Sequence, residues 1–449
     1  MIGRARQHAV IAVAIVLAIA LPGGQASANP IDLFGYGARA AAMAGAQTAA
    51  SDDLSAGYYN PAILATFDDI EIDLGYQFAM PTLLVGGLDT GVDPARGMTA
   101  GLAVPGRVLN RKLAIGLSIY LPDQHMSRIR TLSSQKPRFV VYDNRPQRLF
   151  IASNLSLKLT DRLYLGGGMA VMSGSKGTVL LNGRVGFPNT GDSDLALAMD
   201  VDFLGIRYLQ AGLLYRAAPW LNVGLSYRGS FLLILDQIFR IEGDVGSADV
   251  EPLVSDAYFQ LQSISQDLFQ PEQITVGLDA QLTKTLALAF DVGLHRWSQF
   301  SNPAAHINIE LDIGTFNDLV NIQPAPPLPT ANFNDVIVPR LALEWTALTT
   351  RRTKLTVRGG YLYEPSPVPW QFGETNFIDN DRHTVSLGAG LRMLDVTEIL
   401  PRPMSIDLAL AYTGLTPRNH IKISPVDPIG SYRSTGRVLQ AAVSSRWHF

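Results

Sequence analysis

From Ile70 the chain alternates without a break. Ile70, Ile72, Leu74, Tyr76 and Phe78 fall on one side of an extended backbone, and Glu71, Asp73, Gly75 and Gln77 on the other. Successive side chains on a strand point to opposite faces, so this segment is a strand with one apolar and one polar face. Ile274, Val276, Leu278, Ala280 and Leu282 repeat the pattern against Gln273, Thr275, Gly277, Asp279 and Gln281, as do 286–295 and 384–391. The same reading predicts 14 strands, near 70–80, 97–105, 112–121, 147–159, 162–174, 203–217, 220–234, 273–283, 286–298, 338–348, 354–364, 382–394, 404–413 and 436–449. Most reach the roughly nine to eleven residues that a tilted membrane strand needs.

The connections alternate too. Long ones cover 81–96, 122–146, 175–202, 235–272, 299–337, 365–381 and 414–435; short ones lie at 106–111, 160–161, 218–219, 284–285, 349–353 and 395–403. A membrane barrel has tight periplasmic turns and larger external loops, whereas a soluble sandwich has no reason to sort its loops this way. The expected fold is therefore all-β: a 14-stranded antiparallel transmembrane barrel over 70–449. In lipid each unpaired backbone group costs several kcal/mol, so the sheet must close on itself. Glu71, Asp73, Asp279, Asp291 and Glu344 then face a polar interior, which reconciles a lipid-facing wall with a mean hydropathy of only +0.14. The last strand ends on Phe449, with Leu439, Ala441, Val443, Ser445 and Trp447 on the same face. Such an ending resembles the signal read by the outer-membrane insertion machinery, the expected partner in assembly.

Composition narrows the class. With 36 Lys+Arg against 39 Asp+Glu there is no basic excess to neutralise phosphates, so nucleic acid is not an expected partner. The absence of cysteine excludes a disulfide framework, thiol catalysis and Cys-ligated zinc. Residues 1–28 read as a signal peptide: Arg4 and Arg6 precede the apolar stretch 9–21, Pro22, Gly23 and Gly24 break it, and Ala26-Ser27-Ala28 offers a cleavage site. Export followed by residence in the outer membrane is expected, with cleavage near Ala28. Outer-membrane lipid then surrounds the barrel.

Between that site and the first strand, residues 29–69 do not alternate. Residues 35–50 are dominated by small side chains, Ser51-Asp52-Asp53 follows, and Asn60-Pro61-Ala62 forces a turn. Small residues allow close packing in a confined space, so this piece is either a plug in the lumen or a periplasmic linker. Arg39-Ala40-Ala41-Ala42-Met43-Ala44-Gly45-Ala46, then Ser51-Asp52-Asp53, then Asn60-Pro61-Ala62, resembles the N-terminal hatch of the FadL-type outer-membrane transporters of hydrophobic compounds. Further similarity lies at Leu113–Leu117, at Pro271–Ile274, at Trp297-Ser298-Gln299-Phe300, and from Gly359 through Pro369 to Gly390. The resemblance implies a 14-stranded barrel corked by a hatch, uptake of fatty acids or hydrocarbons, and sideways release near a kinked third strand, where Gly116 is the candidate kink. It also makes Arg39, Gly45, Asp52, Asp53, Asn60, Pro61 and Ala62 the candidate hatch and gating residues. Arg39, Asp52, Asp53 and Asn60 are expected to tie the hatch to inward groups such as Glu71 and Asp73.

A transporter of apolar cargo needs an apolar docking surface outside. In 235–272, Val254, Tyr258, Leu261, Ile264 and Leu268 recur at helical spacing, predicting an amphipathic helix along an extracellular groove. Burying a dozen methylenes at ~0.8 kcal/mol each would support micromolar capture. The competing classes are a non-selective porin, a structural barrel and, least favoured, an outer-membrane hydrolase. For the hydrolase, His125, His295, His306, His383, His420 and His448 are available, but no G-x-S-x-G elbow or H-E-x-x-H occurs. No catalytic residue, cofactor or metal is expected, and a monomer is. The cargo stays open between fatty acids and hydrocarbons; a basic lumen residue would favour a carboxylate, with Arg358 and Arg392 as candidates.

Overall fold

The computed structural model describes residues 30–124, 134–143, 148–186, 193–246, 251–394, 402–425 and 427–449. The signal-peptide assignment to 1–28 lies outside them. Fourteen strands form the barrel: β1 Glu71–Val85, β2 Ala95–Val108, β3 Arg111–Pro122, β4 Phe150–Lys158, β5 Leu163–Gly186, β6 Asp194–Ala218, β7 Leu221–Arg228, β8 Glu272–Gln281, β9 Leu286–Arg296, β10 Val336–Thr349, β11 Thr353–Glu364, β12 Arg382–Met393, β13 Met404–His420 and β14 Tyr432–His448. Each pairs antiparallel with the next, and β1 closes on β14 from Glu71↔His448 to Val85↔Ser434. No barrel edge is left unpaired, as a hydrocarbon surrounding demands. The turns at 109–110, 159–162, 219–220, 282–285 and 350–352 share one end with the chain terminus, so that end is periplasmic and the long connections are external. Outward positions such as Leu74, Ile115, Leu155, Leu341, Leu387 and Leu410 are apolar and uncovered, the face that meets lipid. Glu71, Asp73, Asp279, Asp291 and Glu344 all point inward, as the alternation requires.

Two expectations are corrected. The segment expected to be a helical extracellular groove is a hairpin, Phe231–Gly246 with Val254–Gln270, paired residue by residue with one bulge on each side of its length. The spacing that suggested a helix is outweighed by period-2 alternation and by pairing partners supplied from distant strands. Tyr258 and Ile264 lie on one face of it and Leu261 on the other, while Val254 and Leu268 are buried, so the five residues share no surface. The other correction concerns Gly116. Pairing of β3 runs unbroken past it on both sides, to β2 and to β4, so the strand carries no break there.

At 24 and 25 residues, β5 and β6 overshoot the membrane by about a dozen residues each. Above the rim, β6, β5, the hairpin and a short strand, His306–Asp312, form a five-stranded external sheet; β5 pairs parallel with 237–246 there. Register places Leu197, Leu181, Ile241, Phe259 and Leu311 in one cross-strand row, and Met199, Val179, Phe239, Leu261 and Ile309 in another on the same face. Between them, on the opposite face, runs Ala198, Leu180, Arg240, Gln260 and Glu310. One face of this sheet is apolar and open: Leu197 is 67% and Met199 70% accessible.

The hatch and its seat in the lumen

Residues 30–66 fold inside the barrel as three helical turns, α1 Pro30–Phe34, α2 Ala38–Ala42 and α3 Ala56–Tyr59, and a 3-10 turn, Pro61–Thr66. None is long enough to be stable alone; tertiary packing holds them. After α2 the chain reverses through Gly45 at φ +77°, a conformation open to glycine, with its N–H on the Ala40 carbonyl at 2.9 Å. Asn60 does three jobs with one amide. Its Oδ1 caps the 3-10 turn by accepting from Ala62 N–H (3.1 Å), and its Nδ2 donates to the carbonyls of Thr48 (2.7 Å) and Leu213 of β6 (3.0 Å). Pro61 opens the turn at a position where a missing N–H costs nothing.

The wall makes room with glycines on the inward face. A Cβ on Gly101 would lie 2.8 Å from Leu54, on Gly116 2.5 Å from Leu64, and on Gly360 2.5 Å from Met43. At Gly166, Gly212, Gly224 and Gly388 it would collide with Ala62, Asn60, Thr48 and Ala42 respectively. Seven strands thus lack a side chain where the hatch touches them. Gly116 belongs to this seat, and its role there explains a glycine in mid-strand.

On the β9–β14 side the hatch is held by charge. Arg39 is buried, with Nε 2.8 Å from Asp52 and Nη2 3.1 Å from Glu344 of β10, while Nη1 donates to Gln47 at 2.6 Å. Arg358 of β11 shares Glu344 at 2.6 Å and bonds Asp407 of β13. Arg446 of β14 donates to the Asp52 carbonyl and lies 3.5 Å from Glu71. Asp291 of β9 accepts both Gln47 and Thr48 N–H at 2.9 Å. Of the residues expected to tie the hatch to Glu71 and Asp73, Arg39 reaches Glu344 instead, and Asp53 bonds locally to Ser55. Burial pushes the Asp52 carboxyl up, but Arg39, with Arg446 and Arg358 behind it, overrides this and holds it below the usual carboxylate range. For Asp53 burial prevails over Arg39 and Arg446, and its carboxyl is raised.

On the β3–β7 side the contacts are neutral, apart from Arg228. Asn154 and Gln210 both donate to the Gly57 carbonyl at 2.9 Å; Ser156 donates to Ala62 O at 2.9 Å and accepts from Ala65 N–H at 3.1 Å. The Tyr36 hydroxyl donates to Ala100 O (2.7 Å) and accepts from Ile119 N–H (3.1 Å); burial, then Asp73, push its ionisation up, so it stays a phenol. Arg228 of β7 bonds Tyr58 Oη at 2.7 Å and stacks over its ring at 3.8 Å. Inward side chains on these strands are graded from top to bottom: Phe150, Ala152, Asn154, Ser156, Lys158 on β4, and Tyr208, Gln210, Gly212, Leu214, Arg216 on β6. At the top, Tyr120, Phe150, Met172, Tyr208, Phe231, Leu233 and Leu268 pack with Ile31, Tyr36 and Tyr58 of the hatch in one buried cluster. A void of about 60 Å³ lies between the hatch and the β7–β14 wall, beside Tyr58, Arg228, Gln273, Arg340 and Thr384, against roughly 300 Å³ at the small end of ligand pockets.

Reasoning from sequence named Arg39, Asp52 and Asn60, and Arg358 only as a basic lumen candidate, but missed Glu344 as the partner, Arg446, Arg228 and the glycine seat. Their signal was present in the inward polar set, where glycines interrupt strand after strand. Among the described residues no group of three His, Asp or Glu is arranged to hold a metal.

The fold is that of known outer-membrane structures. A Pseudomonas aeruginosa FadL homologue superposes with a TM-score of 0.60 at 17% identity, covering 92% of this chain and 98% of that one. The P. putida toluene transporter TodX gives 0.55 at 15% identity over 93% and 99%. Alkane uptake protein A of Marinobacter nauticus is 27% identical over 171 residues, which span 38% of this chain and 34% of that protein. The model of the outer membrane protein transport protein family (OMPP1/FadL/TodX) matches residues 19–416. The chain belongs to that family, and its barrel resides in the outer membrane.

Proposed function

We propose that this protein takes up hydrophobic molecules, fatty acids or hydrocarbons, capturing them on the external sheet and passing them down the β3–β7 side of the lumen when the hatch yields. The observation that carries this reading is the continuity of one face of the Phe231–Gly246 hairpin strand. Ile241 and Phe239 lie on the open face outside; past Gln237, the buried Leu235, Leu233 and Phe231 continue the same alternation, the last two within the cluster around Tyr36 and Tyr58. An apolar molecule therefore meets apolar side chains on both sides of one polar row, Gln237 with Ser263, between the exterior and the hatch. Uptake through water alone would forfeit about 0.8 kcal/mol for each methylene exposed.

Arg39, Gly45, Asp52, Asp53, Asn60, Pro61 and Ala62 act as the gate in this reading, because the segment carrying them lies across the lumen against the wall. A similar cargo is named for two of the relatives, toluene for one and alkane for the other, which supports the class without choosing between its members. Uptake of labelled oleate and labelled toluene into cells with and without the protein tests it: at least one should enter faster with the protein. Equal rates for both, or a steady porin-sized conductance in planar bilayers, would overturn it.

A further inference from the structure

Beneath the hatch the wall carries charge that the route described so far does not use. Arg107, Lys112, Lys158 and Arg216 continue the inward alternation of Ala103, Ala114, Ser156 and Leu214, and Arg111 and Arg162 flank them in the turns. Five of these cations meet two carboxylates, Asp68 and Asp161, around an opening of about 660 Å³, and Arg162 lines the adjoining one of about 390 Å³ with Arg216. Both carboxylates are at the surface and held singly, Asp68 by Lys112 at 2.6 Å and Asp161 by Lys158 at 2.9 Å. Arg216 lies over the Tyr164 ring at 4.9 Å, and the side chains of Arg107 and Arg162 form no ion pair among the described residues. Cations gathered in one mouth repel each other, and a bound oxyanion relieves that repulsion through charge-assisted hydrogen bonds.

We propose that this periplasmic mouth is an oxyanion site that takes the carboxylate head of a single-chain amphiphile, with Asp68 as its built-in competitor. The proposal rests on the uptake route above. A molecule moving down β3–β6 keeps its chain against Tyr164, Leu214 and Ala114 while its head reaches Lys158 and Arg216; a neutral hydrocarbon has no use for this arrangement. Asp68 closes the chain that leaves the hatch, and its contact with Lys112 is exposed, so an incoming carboxylate exchanges with it at little cost. That exchange links arrival of the head to release of the hatch's lower end.

Binding of laurate and of dodecanol to the purified protein in non-ionic detergent tests the site independently of transport. The wild type should bind laurate about tenfold more tightly than dodecanol, because only laurate carries the charge-assisted contacts. Arg107→Gln/Lys158→Gln/Arg216→Gln should bind the two alike, with folding checked by its mobility on unheated gels. Asp68→Asn should bind laurate more tightly than the wild type, an outcome that misfolding does not produce. Equal affinities in the wild type, a preference that survives the triple substitution, or displacement of laurate by millimolar inorganic phosphate would overturn the proposal, the last pointing to a free-anion site. Failed uptake with this binding pattern intact would remove the transport reading and leave the site.

Discussion

The two sides of the lumen wall hold the same hatch by different physics. On β9–β14 the grip is ionic: Arg39, Asp52, Glu344, Arg358, Asp407, Arg446 and Glu71 form one connected set, and Asp291 clasps two backbone N–H groups. On β3–β7 it is mostly neutral, through Asn154, Ser156, Gln210 and Tyr36. Removing one partner from a buried ion pair costs about 3–5 kcal/mol because a charge is stranded, whereas a neutral hydrogen bond contributes about 1 kcal/mol net. A hatch built this way has a fixed side and a side that lets go. The apolar cluster, the apolar strand face from outside and the basic mouth below all lie on the side that lets go. The asymmetry supports the proposed route, which needs reversible contacts: on β3–β7 these predominate, whereas on the other half Ser386 on the Ala42 carbonyl and Leu33 and Phe34 on an apolar cluster stand beside the ion pairs.

The largest effect is expected from cutting the ionic tie on the fixed side. Arg39→Ala removes the tie from the hatch to Glu344, which keeps Arg358 at 2.6 Å, and leaves the exposed Asp52 carboxylate without its partner, a loss of about 1.5–3 kcal/mol in hatch attachment. Steady conductance in planar bilayers should rise by more than tenfold, while Arg39→Met with Glu344→Gln recovers much of the closed state. If Arg39→Ala conducts like the wild type, the charged half is not what holds the hatch.

Bulk on the yielding side comes next. Gly212→Val places a side chain where Asn60 and Pro61 now sit, and overpacking of this kind costs about 1–3 kcal/mol. Proteolysis of the hatch from the periplasmic side should speed up about tenfold. Gly359 of β11, whose nearest neighbours are Leu387 and Ser386 at ordinary contact distances, is the control. Substituting it should leave the hatch protected, and equal sensitivity would show that the glycines are not a seat.

Strand number, the long and short connections and the inward acids were legible in the sequence because each follows from local alternation, which one strand displays by itself. The hatch residues were legible for a different reason: Arg39, Asp52 and Asn60 lie in the motifs that resemble the hatch of the FadL-type transporters. Glu344 was seen as inward, yet nothing in the sequence couples position 39 to position 344, since that contact depends on the height of each strand in the barrel. The external sheet was misread for the same reason. Val254 to Leu268 reads as helix or strand until β5 and His306–Asp312 arrive as partners from elsewhere in the chain. Gly116 looked like a defect in a strand, and only the hatch at 2.5 Å shows what its missing side chain admits.

Loosening the yielding side without adding bulk sharpens the comparison further. Asn154→Ala and Gln210→Ala each remove one donor from the Gly57 carbonyl, at about 1 kcal/mol or somewhat more for a buried acceptor left short. The hatch should remain seated on average but open more often, so uptake of labelled cargo should rise about threefold to fivefold, with little steady conductance. Uptake that falls instead would place the moving edge elsewhere.

The smallest effect is expected where the charged half reaches the external rim. Asp379, in the connection between β11 and β12, is buried, and burial raises its carboxyl to about 6 against the lowering pull of Arg382. A folded-state value above the unfolded one of 3.8 means that the neutral form is favoured in the folded loop. The stabilisation is complete below about pH 4 and drains away as pH rises through about 6. Hydrogen exchange in 366–380 should therefore be slower at pH 5 than at pH 7.5 after correction for intrinsic rates, and Asp379→Asn should abolish the difference. The outer part of the β7–β8 connection, 237–246 with 254–263, pairs instead with β5 and 306–312 and should show no matching shift. A pH response of equal size in both connections would mean that acid acts on the rim as a whole, and the contrast between the two sides would then stop at the level of the hatch.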